Sequence, residues 1–204
     1  MLNAKREKVG SMIFGFEKVQ DMLMAYDTSF FDNGSVYETA EFAFNLKESK
    51  LQSEHTSMST PNVDLDVNLT FEDSLVKGKI EVNRKNGENN VHTINDKYDY
   101  SVVRGEIYML IHTLNLQNGD TIDLKALVTN SMSISNAKLY FLEEETITTD
   151  LGKFACDVMF LETDGQMPNN KIWVSKGPKR TIVKFHVPAA QLDIELVSQR
   201  PLIK

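Results

Sequence analysis

The stretch Val63-Asp64-Leu65-Asp66-Val67-Asn68-Leu69-Thr70-Phe71 alternates apolar and polar side chains without a break. Successive side chains of a strand point to opposite faces of a sheet, so this stretch predicts a strand with one dry face and one solvated face. Glu72-Asp73-Ser74 predicts a turn, and residues 76–82 then alternate in the same way. The two segments together predict an antiparallel hairpin.

Similar alternating segments, separated by turn residues, occupy most of the rest of the chain. They lie at about residues 36–46, 121–128, 138–142, 153–161, 171–175, 181–187 and 192–197. Most successive strands have no helix between them, which excludes a parallel α/β fold. The sequence therefore predicts an all-β, mostly antiparallel fold in one domain over residues 1–204, built as a single curved sheet or a barrel-like domain with one or two short helices.

Two segments have helical rather than strand spacing. Residues 101–114 place their apolar side chains on one helical face, with Ser101 as the predicted N-cap. Residues 5–26 have apolar positions close to the i, i+3, i+4, i+7 pattern, which predicts a helix or an extension over about residues 1–25. A strand that begins near Gln20 is the alternative for this second segment.

Composition and charge exclude several functional classes. A net charge of −7 argues against a nucleic-acid binder, which needs a basic surface. A single cysteine, Cys156, excludes an intrachain disulfide, and the four histidines lack metal-ligand spacing, so we predict neither a metal site nor a cofactor. No apolar run reaches the roughly 18 residues of a transmembrane helix. The basic start at residues 5–8 is not followed by a signal-peptide core, so either the protein is cytoplasmic or a signal has been removed.

The sequence contains no recognisable catalytic motif. Asp64 and Asp66 share a strand face at a Cα separation of about 7 Å, a spacing that could suit the acid/base pair of a glycosidase. We favour the alternative, a solvated strand face on which Lys77 and Lys79 of the partner strand neutralise the two carboxylates. Cys156 has the setting of a buried small apolar residue. We therefore predict no catalytic residue.

Trp173 is the candidate ligand-binding residue. It lies in the predicted strand at residues 171–175, where it either packs in the wall of the fold or lines a ligand cavity. Nine methionines and eleven phenylalanines fit an adaptable apolar cavity, and they fit an ordinary core equally well.

Three groups of residues in the second half of the chain resemble the bacterial domain-of-unknown-function 3108 family. They are the helical segment at residues 104–114 with Leu116-Gln117-Asn118-Gly119-Asp120, the segment Thr148-Thr149-Asp150-Leu151-Gly152-Lys153-Phe154-Ala155-Cys156, and the strands at residues 172–175, 180–184 and 192–196. The resemblance covers about residues 100–198. It implies an antiparallel, barrel-like fold and, since members are mostly exported proteins, a location in the cell envelope or periplasm. It implies no catalytic residues.

These observations favour a non-enzymatic bacterial domain that binds a small apolar or amphiphilic ligand on the concave side of its sheet. The first alternative is a protein-interaction or scaffold module with a filled core, whose protein partners the sequence does not identify. The second is a hydrolase that uses carboxylates from separate strands. An interior cavity of about 300–1,000 Å³ would favour the ligand-binding hypothesis over the scaffold.

Overall fold

The computed structural model describes residues 1–5, 7–31, 34–165 and 167–198 of the chain. Contacts within the chain divide these residues into two compact units. The N-terminal unit contains residues 9–99, and the C-terminal unit contains residues 1–8 and 100–198. That residues 1–204 form a single domain stays a prediction.

The N-terminal unit is a seven-stranded antiparallel meander. Its strands lie side by side in chain order, each paired with the strand before it. They are β1 (Ser11–Val19), β2 (Met22–Phe31), β3 (Val36–Asn45), β4 (Lys50–Ser59), β5 (Val63–Glu72), β6 (Leu75–Arg84) and β7 (Asn89–Lys97). The hairpin predicted from the alternating stretch is confirmed as β5 and β6, which pair from Val63 with Arg84 to Glu72 with Leu75.

The two faces of β5 differ as the alternation predicts. Leu65, Val67, Leu69 and Phe71 are all buried, and Val67 has no exposed surface. The polar residues between them lie on the other face of the strand. Burial of these large apolar side chains is the main favourable contribution to folding of this unit, at about 1.5–3 kcal/mol for each one fully buried.

The helix predicted near the N-terminus is wrong, because β1 and β2 form a hairpin there instead. Gln20, in the turn between the two strands, has a φ of 55°, which reverses the chain after β1. Gly10 and Gly15 lower the helix propensity of this segment. Gly15 also lies beneath the ring of Tyr26 on β2, and a Cβ at Gly15 would come within 2.5 Å of that ring. Cross-strand packing thus overrides the approximate helical spacing.

Gly78 in β6 lies very close to the backbone of the neighbouring strand β5. Its φ is 144°, and a Cβ at this position would lie 1.9 Å from the carbonyl oxygen of Asn68 on β5. No other residue fits this position without separation of the two strands.

The C-terminal unit contains a second seven-stranded sheet and one α-helix. The strand order is the reverse of the chain order, from β14 to β8. The elements are β8 (Val102–Val103), α1 (Arg104–Ile111), β9 (Thr121–Val128), β10 (Ser133–Thr149), β11 (Gly152–Thr163), β12 (Asn170–Ser175), β13 (Ile182–Val187) and β14 (Leu192–Glu195), with a 3₁₀ helix at Pro188–Ala190. Neighbouring strands are antiparallel except β8 and β9, which are parallel.

The predicted helix is confirmed at Arg104–Ile111, and its apolar face is buried at Ile107 and Ile111. The predicted N-cap is wrong. Val103 occupies that position, and its backbone N–H donates to the Glu106 carboxylate at 2.5 Å. Ser101 instead accepts a hydrogen bond from the Lys125 N–H, because pairing with β9 holds it outside the helix.

The C-terminal unit has one large core and one smaller cluster. The large core packs α1 against β9–β12 through residues that include Ile107, Leu139, Met159 and Ile172. The smaller cluster joins Cys156, Val158, Trp173 and Val183. These two groups bury both faces of the central strands, which explains the nearly continuous apolar run of β11 and β12.

The predicted all-β, mostly antiparallel class is confirmed. Over the described part of the chain the strands form two sheets rather than a single one, and neither sheet closes on itself. Within the same residues, no helix has the length and apolar character needed to cross a membrane.

Candidate functional site

The C-terminal unit contains a cavity of about 870 Å³. Four parts of the unit contribute to it: the connection after α1, the middle of β10, one residue of β11 and the connection between β12 and β13. The lining residues are Asn115, Leu116, Gln117, Asn118, Phe141, Leu142, Glu144, Asp157, Lys176, Gly177 and Arg180. We call this the loop cavity.

Local hydrogen bonds fix the connection that forms one wall of the loop cavity. The Gln117 N–H donates to the Asp120 carboxylate at 2.8 Å, and the Asp120 N–H donates to the Gln117 carbonyl at 2.9 Å. Gly119, at a φ of 94°, provides the left-handed residue that this tight turn needs. Leu116 anchors the segment in the core. The exposed side-chain amides of Asn115, Gln117 and Asn118 are therefore presented on a fixed backbone.

A β-bulge shapes the opposite wall. The pairing of β10 with β11 shifts between Phe141 and Glu143, so Leu142 is the extra residue of β10. A bulge bends its strand and redirects side chains. Here it leaves Leu142 44% exposed at the cavity, beside the partly buried ring of Phe141.

Four charged side chains line one part of the loop cavity. Glu144 and Asp157 are directly opposite each other on β10 and β11, an arrangement that is unfavourable for two like charges. Lys176 contacts both carboxylates, at 2.5 Å from Glu144 and 3.4 Å from Asp157. Arg180 binds Asp157 through Nη1 at 2.7 Å. The two cations therefore hold the two carboxylates in this register.

Burial separates these four groups into an inner pair and an outer pair. The side chains of Asp157 and Arg180 are 8% and 15% exposed, whereas those of Lys176 and Glu144 are 37% and 68% exposed. Arg180 uses only some of its hydrogen-bond donors. Among the described residues, its Nε and Nη2 have no hydrogen-bond partner, although both atoms are buried. Buried donors without acceptors are costly, and those of a guanidinium especially so.

His112 holds the backbone beneath Arg180. It follows α1 directly, and its Nδ1 donates to the Arg180 carbonyl oxygen at 3.2 Å. Burial lowers the pKa of His112, and the charge of Arg180 lowers it further. The hydrogen bond to the Arg180 carbonyl opposes both effects by raising the pKa. The imidazole is thus neutral at neutral pH, so it adds no charge next to the cavity.

The N-terminal unit has a smaller cavity of about 350 Å³ on its solvated face. Met24, Ala43, Ser53 and Thr70 contribute to its lining, together with residues of the neighbouring strands. Its histidine, His55, is exposed and forms an exposed pair with Asp66 at 3.1 Å. This smaller cavity lacks a buried ion pair like that of the loop cavity, which makes the loop cavity the stronger candidate.

The two carboxylates considered for catalysis have separate surface partners. Asp64 binds Lys85 and accepts from the Ser59 hydroxyl, and Asp66 contacts His55 and the Asn68 amide. The predicted pairing with Lys77 and Lys79 is wrong. The register places Asp66 opposite Glu81 rather than opposite a lysine, and Lys77 binds Glu72 instead.

Trp173 is 6% exposed and packs in the smaller cluster of the C-terminal unit. Its Nε1–H donates to Glu145 at 2.8 Å, and the Nζ atoms of Lys171 and Lys184 lie 4.9 and 5.2 Å from its ring centroid. The linings of the two cavities described above do not include it. Its role in ligand binding therefore stays a prediction.

Cys156 is buried beside Trp173, as predicted. Burial raises the pKa of the thiol to about 11, assisted by the negative charges of Asp157 and Glu145. The thiol is therefore protonated at neutral pH and is a poor nucleophile. Among the described residues, no group of three or more His, Cys, Asp or Glu side chains is arranged to hold a metal ion.

A sequence model of the family described as "Protein of unknown function (DUF3108)" matches residues 17–193. The chain belongs to the DUF3108 family. The match extends well beyond the region that carried the resemblance in the sequence, since it includes nearly all of the N-terminal unit. The DUF3108 match therefore spans strands of both sheets.

Among solved structures, this DUF3108 chain is similar to a β-barrel-like protein of the domain of unknown function DUF1849 from Brucella abortus. The TM-score is 0.50 at 6% sequence identity, and the match covers 90% of this chain and 83% of that one. At this identity the likeness concerns the fold alone. No curated protein sequence matches the chain.

Sequence reasoning missed the charged residues of the loop cavity. The signal that could have found them is Asp157, which interrupts the otherwise apolar stretch Phe154–Leu161. A carboxylate in a strand that is buried on both faces requires a cationic partner. Lys176 and Arg180, at either end of the connection after β12, are suitable partners.

Proposed function

We propose that this chain is a non-catalytic binding domain that holds one small amphiphilic molecule in the loop cavity. The observation that carries the proposal is the cavity itself. Its volume of about 870 Å³ falls within the range of roughly 300–1,000 Å³ that is typical of small-molecule sites.

The lining of the loop cavity supports an amphiphilic rather than a purely apolar ligand. Leu116, Phe141 and Leu142 supply apolar surface. The amide side chains of Asn115, Gln117 and Asn118 and the four charged groups supply hydrogen-bond donors and acceptors. A molecule with one apolar and one polar end would satisfy both kinds of surface, whereas a hydrocarbon would desolvate the polar groups without compensation.

The carboxylate, thiol and imidazole in and beside the loop cavity are poorly placed for acid–base catalysis. Their contacts favour a binding domain over an enzyme. Asp157 is neutralised by Arg180 and Lys176, and its neighbour Cys156 is a protonated, buried thiol. His112 points its Nδ1 at a backbone carbonyl. These contacts hold charge in place and leave the groups poorly suited to exchange protons with a substrate.

The scaffold alternative is supported by one feature of the N-terminal unit. In β7, an outer strand of its sheet, all residues except Ile94 are exposed. Outer strands can pair with a strand of another protein. If a substitution that fills the loop cavity left the binding of a protein partner unchanged, that result would favour the scaffold over a ligand carrier.

A cell-envelope location is part of the proposal. It rests on the exported character of most proteins that the sequence resembles. Fractionation of the native host with an antibody against the chain would test it, and recovery in the cytoplasm alone would contradict it.

Calorimetric measurement of dodecyl maltoside binding, below the critical micelle concentration of the detergent, tests the proposed function. We expect saturable binding of one molecule per chain. Asn115→Trp, an exposed position that lines the cavity, should reduce the affinity at least about tenfold by occupying cavity volume.

The matched control is Asn90→Trp, an exposed position on β7. This variant should bind dodecyl maltoside as the wild type does. Binding that both variants retain equally, or that the wild type lacks, would contradict the assignment of the loop cavity as the ligand site.

A further inference from the structure

We infer that the loop cavity selects amphiphiles whose polar end is an anionic oxygen group, a carboxylate or a phosphate. This inference rests on the proposed function and goes further by naming the chemistry of the head group. It follows from the arrangement of Lys176, Arg180 and their two acidic neighbours.

The two cations of the loop cavity are less exposed than Glu144, one of its two acids. Asp157, the buried carboxylate, has two cations within 3.4 Å, Arg180 at 2.7 Å and Lys176 at 3.4 Å. The other acid of the cavity, Glu144, is 68% exposed, so water and salt screen its charge. The two acids and two cations sum to zero charge, but the more exposed acid is the one that water screens most. An anionic group inside the cavity is therefore attracted by Lys176 and Arg180 more strongly than Glu144 repels it.

Lys176 is the group that an incoming anion reaches first. Its Nζ is held mainly by Glu144, and ion pairs between exposed side chains contribute little to stability. The ammonium can exchange Glu144 for a ligand oxygen at little cost. Because Arg180 already neutralises Asp157, that exchange leaves no buried carboxylate unpaired.

Arg180 supplies the second contact. Nη1 is occupied by Asp157, whereas Nε and Nη2, which lie on the same edge of the guanidinium, have no acceptor among the described residues. That edge matches the two oxygens of a carboxylate or phosphate. Both nitrogens are covered in this structure, so the guanidinium has to turn toward the cavity while Nη1 stays on Asp157.

The apolar wall is in the correct place for the other end of such a molecule. Phe141 and Leu142 directly precede Glu143 and Glu144 on β10, so the apolar surface adjoins the charged groups. One amphiphile can therefore place its head against Lys176 and its chain against the bulge.

Four dodecyl amphiphiles test the inference by calorimetry below their critical micelle concentrations: dodecanoate, dodecyl phosphate, dodecyl maltoside and dodecyltrimethylammonium. The pH is kept well above the pKa of the carboxylate. We expect both anions to bind at least about tenfold more tightly than the maltoside, as one charge-assisted hydrogen bond predicts, and the cation to bind weakest. The ratio of the two anions distinguishes a carboxylate site from a phosphate site.

Lys176→Gln should remove most of this preference, because it should weaken binding of the two anions at least about tenfold more than it weakens binding of dodecyl maltoside. Glu144→Gln should strengthen anion binding, because it removes the competitor for Lys176. Lys138→Gln, at an exposed position of β10 outside the cavity, is the control for net charge and should have no effect. Arg180→Lys keeps a cation for Asp157 and should weaken anion binding in a folded protein.

The outcomes separate the two proposals. Equal affinity for the anions and dodecyl maltoside, or an anion preference that Lys176→Gln retains, would overturn the inference while the proposed function stands. Failure of the wild type to bind any of the four probes would contradict the proposed function itself.

Discussion

The N-terminal and C-terminal units each contain seven strands, but they place their charged side chains differently. In the N-terminal unit, ion pairs such as Lys77 with Glu72 and His55 with Asp66 lie on the solvated face. In the C-terminal unit, the Asp157–Arg180 pair is buried. Strand number and direction alone therefore do not decide whether a sheet buries charged side chains.

The connections between strands account for this difference. In the N-terminal unit, β1 joins β2 and β5 joins β6 through turns of two residues. In the C-terminal unit, residues 112–120 separate α1 from β9, and residues 176–181 separate β12 from β13. These longer connections supply most of the loop cavity. Connections are the usual place for binding residues, because a rigid sheet holds them in position.

The largest expected effect is in the N-terminal sheet. Val67→Asp should destabilise the protein by about 4 kcal/mol, since it buries a charge on the dry face of β5 without a partner. Thr70→Asp, on the solvated face of the same strand, should cost less than about 1 kcal/mol. Urea denaturation measures both values. Similar losses for the two variants would contradict the assignment of the faces.

Gly78→Ala should destabilise the N-terminal sheet by about 3 kcal/mol, because the new Cβ would clash with the Asn68 carbonyl. Gly87→Ala is the matched control. Gly87 also has a positive φ, of 94°, but a Cβ added there would have no atom within 4 Å, so only about 1 kcal/mol of backbone strain is expected. Equal thermal stabilities of the two variants would rule out the close strand approach.

One pair of variants compares the two units directly. Asp157→Asn should cost about 3 kcal/mol, because it leaves the buried Arg180 without its counter-charge. Asp66→Asn should change the free energy of unfolding by less than about 0.5 kcal/mol, since its partners are exposed. Chemical denaturation of both at neutral pH gives the comparison. If the two substitutions cost the same, the contrast between buried and exposed ion pairs is lost.

The smallest predicted effect is a pH dependence in the C-terminal unit. The pKa of His112 is lowered from its ordinary value of 6.5 by burial, so the unfolded chain binds this proton more readily than the folded protein does. Stability from His112 is therefore fully present above pH 6.5 and decreases as the pH falls below it. His112→Gln should flatten the dependence of the unfolding free energy on pH between about 5 and 7. An unchanged slope would show that His112 titrates normally.

Local patterns predicted much of the fold, and their failures have physical causes. The period-two alternation of β5 and β6 identified a hairpin and its buried face, because burial on one face imposes that pattern directly. The segment at residues 5–26 gave a wrong prediction, since its apolar spacing fits a helix approximately and the contact between Gly15 and Tyr26 is visible only across the paired strands.

The candidate site was harder to predict than the sheets. Asp157 comes from β11, whereas Lys176 and Arg180 come from the connection after β12, so their proximity depends on the register of β11 and β12 and not on sequence spacing. Trp173, the ligand-binding candidate from the sequence, donates its indole N–H to Glu145 and has two lysines beside its ring. Asp157, as a charge in an apolar strand, was the more informative residue.

Native mass spectrometry of the protein purified from its own host, followed by organic extraction, tests the central claim most directly. We predict one co-purified amphiphile with an acidic head group per chain, absent from the Asn115→Trp variant and retained by Asn90→Trp. A wild-type protein whose mass is that of the bare chain, or an extracted molecule that the Asn115→Trp variant still carries, would contradict the assignment of the loop cavity as a ligand site.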